Sequence, residues 1–115
     1  MNSGFEIFTD QDELKFNKYG LLPAIVQDQE SKEILMVAWM NEEAFRLTHE
    51  KKLAHFWSRS RDELWLKGAT SGNFMHVKQI LVDCDADTLI LLVDPAGPAC
   101  HTGKRSCFYR EIRIA

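Results

Sequence analysis

Asp83, Asp85 and Asp87 stand at alternate positions with Cys84 between the first two. Further on, Cys100 and Cys107 flank the segment His101-Thr102-Gly103-Lys104-Arg105-Ser106. Carboxylates are hard oxygen donors and suit Mg²⁺ or Ca²⁺, whereas thiolates are soft donors and suit zinc. One short chain holding both donor sets points to two metal sites, and through them to chemistry.

Strand geometry separates the two sets. If residues 82–88 are extended, the three aspartates share one face and Cys84 points to the other. Three alternate residues on a straight strand span about 13 Å, too far for one ion with oxygen ligands near 2–2.5 Å. Either the segment curls, with Ala86 as the natural bend, or water completes the coordination. The spacing also matches the start of a calcium-binding helix-loop-helix. That motif is excluded, because Thr88 stands where it needs glycine and Asp94 where it needs glutamate. An acid triplet of this kind is otherwise an ordinary solvated turn.

Cys84 by itself reads as a small buried hydrophobe. Cys100 and Cys107 do not, because they lie in a stretch of Gly, Pro, Thr and Lys that belongs to a loop. Three thiolates make three ligands, and a zinc with three protein ligands keeps a fourth position for water or substrate. His101 has two possible roles. It can close the site as a fourth ligand, which makes the zinc structural, or it can serve as the base for a hydrolysis. Three thiolates leave the zinc centre with net negative charge, a weak activator of water, so the second role has a chemical need behind it.

Positive charge is local. Arg59 and Arg61 flank Ser60, and Lys67-Gly68-Ala69-Thr70-Ser71-Gly72-Asn73 supplies a lysine, two hydroxyls and backbone N–H groups freed by glycine. Arginine forks and such loops bind phosphate. The order is not that of a nucleotide-binding P-loop. Arg59, Arg61, Lys67, Thr70, Ser71 and Lys104 are the candidate phosphate contacts.

These residues need a scaffold. Leu22–Gln27 and Ile34–Met40 read as a hairpin, since a polar turn joins two apolar runs. Asn41 with Glu42 and Glu43 opens a helix that runs to about Lys51, with Ala44, Phe45 and Thr48 inward. Thr9–Phe16 reads as a second short helix on its Thr9/Asp12 capping pair. Residues 54–59, 63–67, 74–83, 88–93 and 108–114 read as strands, and 94–98 as a turn. The expected fold is α+β, a mostly antiparallel sheet with one or two short helices.

A chain of 115 residues fits one domain, residues 1–115, with enough length for a core but little to spare. The net charge of −3 argues against a general nucleic-acid binder. Three cysteines cannot form a closed disulfide framework within one chain. Met1–Phe16 is too polar for a signal peptide, and the longest apolar run, Ile34–Met40, is too short to cross a bilayer. A cytoplasmic protein that binds neither membrane nor nucleic acid is expected.

The motifs Phe56-Trp57-Ser58-Arg59-Ser60-Arg61, Leu64-Trp65, Lys67-Gly68, Thr70-Ser71-Gly72-Asn73, Asp83-Cys84-Asp85-Ala86-Asp87 and Gly97-Pro98-Ala99-Cys100-His101-Thr102-Gly103, followed by Arg105-Ser106-Cys107-Phe108, stand in this order. Together they resemble the phosphoribosyl-AMP cyclohydrolase family of histidine biosynthesis, from about Leu21 to Phe108. The resemblance implies hydrolytic opening of the adenine ring of phosphoribosyl-AMP at the N1–C6 bond. It implies zinc on Cys84, Cys100 and Cys107, Mg²⁺ on Asp83, Asp85 and Asp87, and His101 as general base. It further implies an intertwined homodimer in which Cys84 reaches the zinc of the other subunit. Ala69 stands where many members carry glutamate, which touches no implied metal ligand. The chain is too short for the pyrophosphohydrolase domain fused to some members, so a stand-alone form is expected. The rival from another class is a non-catalytic, zinc-stabilised phosphate- or nucleotide-binding module, with the zinc closed by a fourth ligand.

Overall fold

A computed structural model describes residues 4–9 and 11–114. Its frame is one six-stranded mixed sheet in the order β4-β3-β2-β1-β6-β5, with a single helix among the described residues. The strands are β1 (Leu22–Asp28), β2 (Ile34–Met40), β3 (His55–Ser58), β4 (Glu63–Leu66), β5 (Met75–Val82) and β6 (Leu89–Pro95). Helix α1 (Glu42–Lys51) lies between β2 and β3.

The β1–β2 hairpin forms as its sequence predicts. Leu22, Ala24, Val26 and Asp28 face inward at alternate positions, and Leu22 pairs with Met40. Its turn is closed by Asp28, whose Oδ1 accepts the N–H groups of Glu30 at 2.8 Å and Ser31 at 3.2 Å. This is the local bonding that makes aspartate a turn former. Helix α1 also follows its signals: Asn41 caps it by accepting the Ala44 N–H at 2.8 Å. Thr48, fully buried, ties the helix to β3 by accepting the His55 N–H at 2.9 Å.

Two expected elements are absent. Thr9 and Asp12 do bond each other, with the Thr9 N–H donating to the Asp12 carboxylate at 2.8 Å, but the result is one turn and no helix follows. Leu14 and Phe16 instead pack individually against the core, which an extended segment allows. Asp10, within that stretch, lies outside the described residues. Residues 108–114 form no strand either: Ile112 is 92% and Ile114 97% exposed, so apolar character there finds no strand to pair with among the described residues.

The sheet is not purely antiparallel, because β1 and β6 pair in parallel from Ala24↔Leu89 to Asp28↔Val93. β6 also runs two residues beyond its expected end, through Asp94 and Pro95 into the residues expected to turn. Proline is tolerated there because β1 pairing stops at Val93, so no partner needs its missing N–H. The core lies where β1, β6 and β5 meet α1 and β3, around Phe56, Leu22, Met75 and Leu91. No helix among the described residues is long and apolar enough to cross a membrane.

Gly68 marks a tight backbone approach next to the basic segment. Its φ is +97°, and a Cβ there would lie 2.6 Å from the Phe74 backbone nitrogen. Gly68→Ala is expected to cost about 2 kcal/mol, because strained backbone and a backbone clash cannot both relax. A lower urea midpoint at unchanged slope checks it.

Candidate active site

The acid cluster sits in the turn from β5 to β6, not on a strand. Asp83 stops the ladder and the chain turns back, with Ala86 left-handed at φ 62°. The Asp83 side chain accepts the N–H of Asp87 at 3.0 Å and of Thr88 at 3.2 Å, and the Ala86 N–H donates to the Asp83 carbonyl. The Lys15 N–H holds the Ala86 carbonyl at 2.7 Å from outside. The premise of an extended 82–88 is therefore corrected: local side-chain bonds outcompete the ladder.

The turn brings the three carboxylates together, with donor oxygens of Asp83, Asp85 and Asp87 all within 4.8 Å of one another. Two oxygens on one Mg²⁺ stand about 3–4.2 Å apart, so the group fits a hard divalent cation with water filling the remaining positions. Partial desolvation raises the Asp83 carboxyl, but bonds from Asp87, Asp85 and Thr88 outweigh it and hold it low. Asp85 is pushed up, first by its bond to Asp87, then by its bond to Asp83 and by desolvation, with the charges of both neighbours adding to it. Among the described residues this is the one group of three or more metal-ligating side chains that converge, and Cys84, exposed in the same turn, is outside it.

The second cluster lies beyond β6. Ala99–Arg105 folds into a small hairpin of its own: the Ala99 N–H donates to the Arg105 carbonyl at 3.0 Å and the Cys100 N–H to the Lys104 carbonyl at 3.2 Å. Gly103, at φ +89°, closes the tip with its N–H on the Cys100 carbonyl at 3.0 Å. His101 stands exposed at that tip. At the base, the Cys100 and Cys107 thiols lie near enough for each to bias the other's titration. The Thr102 hydroxyl donates to the Cys100 sulfur at 3.1 Å. That bond, with the Thr102 N–H, holds the Cys100 thiol below its ordinary range against the opposing effect of burial, and Cys107 and the Lys67 ammonium add to it. Burial pushes Cys107 up, and the adjacent Cys100 reinforces this. Two neighbouring sulfurs, one biased toward thiolate, are a donor pair that suits zinc.

Cys84 is far from that pair along the sheet. It precedes β6 and Cys100 follows it, so the seven-residue strand Leu89–Pro95 lies between them. Such a strand spans about 20 Å, and a zinc with Zn–S bonds near 2.3 Å cannot bridge it.

The basic and small-residue segments divide. Lys67 Nζ donates to the Ala99 carbonyl at 2.5 Å, beside the thiols. Asn73 fills the space over Gly97, where an added Cβ would meet its Oδ1 at 2.3 Å. The Lys67–Asn73 loop therefore forms one wall next to the cysteines, with Thr70 and Ser71 exposed on it and the Ser71 hydroxyl accepting the Asn73 N–H. Lys104 lies 5.6 Å over the Tyr109 ring. Arg59 lies 4.8 Å over the Trp39 ring, and Arg61 pairs with Glu63 at 3.4 Å. Both arginines belong to the β3–β4 turn, at the sheet edge opposite the acid turn.

Sequence reasoning missed Asp28, Ser106 and Thr102. Asp28 was visible as a carboxylate on the inward register of β1, where an apolar residue belongs. It is 5% exposed, and Arg105 pairs with it and with Glu33 at 2.6 Å. The Asp28 carboxyl is held below its ordinary 3.8, first by the Glu30 N–H, against an opposing push from burial, with the Ser31 N–H and Arg105 adding to the lowering. A carboxyl with a lowered folded pKa contributes stability that is present above the unfolded value and lost as pH falls through the folded one. Asp28→Asn is thus expected to be less stable by about 1–2 kcal/mol at neutral pH. The gap to wild type should close as pH falls below 3.8, measured by urea unfolding across that range.

A family model described as phosphoribosyl-AMP cyclohydrolase matches residues 36–109. The phosphoribosyl-AMP cyclohydrolase of Chlorobium chlorochromatii is 60% identical over 100 residues, covering 87% of this chain and 73% of the relative. That of Erythrobacter litoralis is 60% identical over 98 residues, covering 85% and 78%. That of Chlorobaculum tepidum is 58% identical over 98 residues, covering 85% and 72%.

Proposed function

The chain belongs to the phosphoribosyl-AMP cyclohydrolase family, and from that premise we propose that it opens the adenine ring of phosphoribosyl-AMP at the N1–C6 bond in histidine biosynthesis, with zinc on Cys84, Cys100 and Cys107. The observation that carries the reading is the hairpin that brings Cys100 and Cys107 to its base and presents His101 at its tip. Bound zinc supplies a Lewis acid that makes water a better nucleophile. The residues supply the rest. Ribosylation at N1 leaves the ring cationic and C6 electrophilic. His101 takes a proton from water as the water oxygen bonds to C6. The C6–N1 bond then breaks, N1 leaves with a proton, and C6 keeps its exocyclic nitrogen as a carboxamide.

Two phosphates need positive partners. Thr70, Ser71 and Lys104 are the contacts nearest the thiols. Lys67 also sits there, but its ammonium already serves the Ala99 carbonyl. Arg59 and Arg61 lie in the β3–β4 turn, at the end of β4 away from Lys67, and supply charge for the second phosphate. The separation of Cys84 from Cys100 asks for a second copy: in a homodimer, the zinc site of one copy is completed by Cys84 of the other. The turn carrying Cys84 also carries Asp83, Asp85 and Asp87, so those carboxylates would hold Mg²⁺ in the same shared site.

Turnover in ¹⁸O-water tests the bond. One ¹⁸O in the carboxamide and no ammonia released is the expected outcome. Release of ammonia, which means loss of the exocyclic nitrogen with the ring intact, contradicts it.

A further inference from the structure

Asp28 is a buried carboxylate that takes no part in the proposed chemistry. A buried charge is retained only where it is paired and hydrogen-bonded, and here its second oxygen is spent on Arg105, 77 residues away. The guanidinium forks: it also donates to Glu33 at 2.6 Å and reaches the Ser31 hydroxyl at 3.4 Å. Arg105 stands between Cys100 and Cys107, and its own carbonyl closes the cysteine hairpin by accepting the Ala99 N–H. The next two residues dock on β2. Ser106 Oγ donates to the Ile34 carbonyl at 2.7 Å, and the Cys107 N–H donates to the Leu35 carbonyl at 2.7 Å.

The geometry points to Asp28, acting through Arg105, as a positioning residue that clamps the cysteine hairpin onto the β1–β2 turn and so keeps the two thiols together. Asp28 is fixed before it meets Arg105, because its other oxygen already holds the Glu30 and Ser31 N–H groups. The hairpin turn is therefore a rigid anchor, and the guanidinium transmits its position to the loop. A planar fork suits this task, since two acceptors fix its orientation as well as its distance. The consequence for metal affinity rests on the reading of Cys100 and Cys107 as zinc ligands. Groups that orient metal ligands without touching the metal typically account for about 10–100-fold in affinity.

The test uses full-length protein and two readouts. Amide exchange is followed by NMR in metal-free protein at Cys107 and, as internal reference, at Leu91 in β6. Zinc affinity is measured by competition with a chromophoric chelator. For Asp28→Asn the clamp predicts exchange at Cys107 accelerated at least tenfold beyond the acceleration at Leu91, which reads the global loss of stability, and zinc bound about 10–100-fold more weakly. Arg105→Lys keeps the charge and loses the fork, so smaller changes of the same sign in both readouts are expected. A folded Asp28→Asn protein with exchange at Cys107 accelerated no more than at Leu91, or with wild-type zinc affinity, overturns the proposal. Glu33→Gln perturbs the exposed partner of the same guanidinium and predicts a smaller acceleration at Cys107; it decides the matter if Asp28→Asn fails to fold. Wild-type protein that takes up no zinc overturns the ligand assignment, and the exchange at Cys107 then decides the clamp by itself.

Discussion

Replacing His101 by alanine lowers kcat by about 10²–10⁴-fold, the span typical of losing a positioned general base, and leaves zinc content unchanged. His101 is exposed at the tip of the cysteine hairpin, and Gly103 rather than the imidazole closes that tip. Its removal should therefore spare both the loop and the thiol pair at its base. The two roles open in the sequence are separated by this variant. A base is lost from the rate while the metal stays. A fourth zinc ligand is lost from the metal, and bound zinc falls with it. Steady-state kinetics paired with metal analysis of the same sample reads both.

Cys84→Ala and Cys107→Ala each abolish activity, yet mixing the two restores about a quarter of the wild-type level once subunits exchange, because half of a random mixture is mixed dimer with one intact site of two. The expectation follows from one strand. Cys84 lies in the turn that leads into β6 and the Cys100–Cys107 pair beyond its end, so no single copy gathers all three sulfurs. Mixed dimers in which exchange is demonstrated and activity stays absent contradict a site completed between copies. The same experiment bears on Asp83, Asp85 and Asp87, which travel with Cys84 on one turn.

Local signals in the sequence placed most elements. Asn41 capped the helix, the Asp28–Lys32 turn joined β1 to β2, and Phe56, Trp57 and Trp65 marked β3 and β4. What escaped was non-local. The parallel pairing of β1 with β6 joins segments more than sixty residues apart, and nothing in either strand names its neighbour. The Thr9/Asp12 pair is a true capping bond that no helix followed, because Leu14 and Phe16 found the core in extended form. The apolar residues of 108–114 alternate enough to suggest a strand, but a strand needs an edge to join, and none among the described residues takes them up.

The candidate site was legible in its atoms and less so in its geometry. Donor types and the bend at Ala86 could be read from spacing. The separation of Cys84 from the acids was argued from strand alternation, and in the structure it comes from a turn instead. Asp28 and Ser106 were missed because their partners are Arg105 and the β2 carbonyls, contacts that exist only once the loop is folded back on the hairpin.

The most direct measurement is turnover of phosphoribosyl-AMP by purified protein stripped of metal and then titrated with zinc in the presence of Mg²⁺. The account predicts no turnover without zinc and full turnover at one zinc per chain. Undiminished turnover by zinc-free protein, or none by zinc-loaded protein, contradicts it.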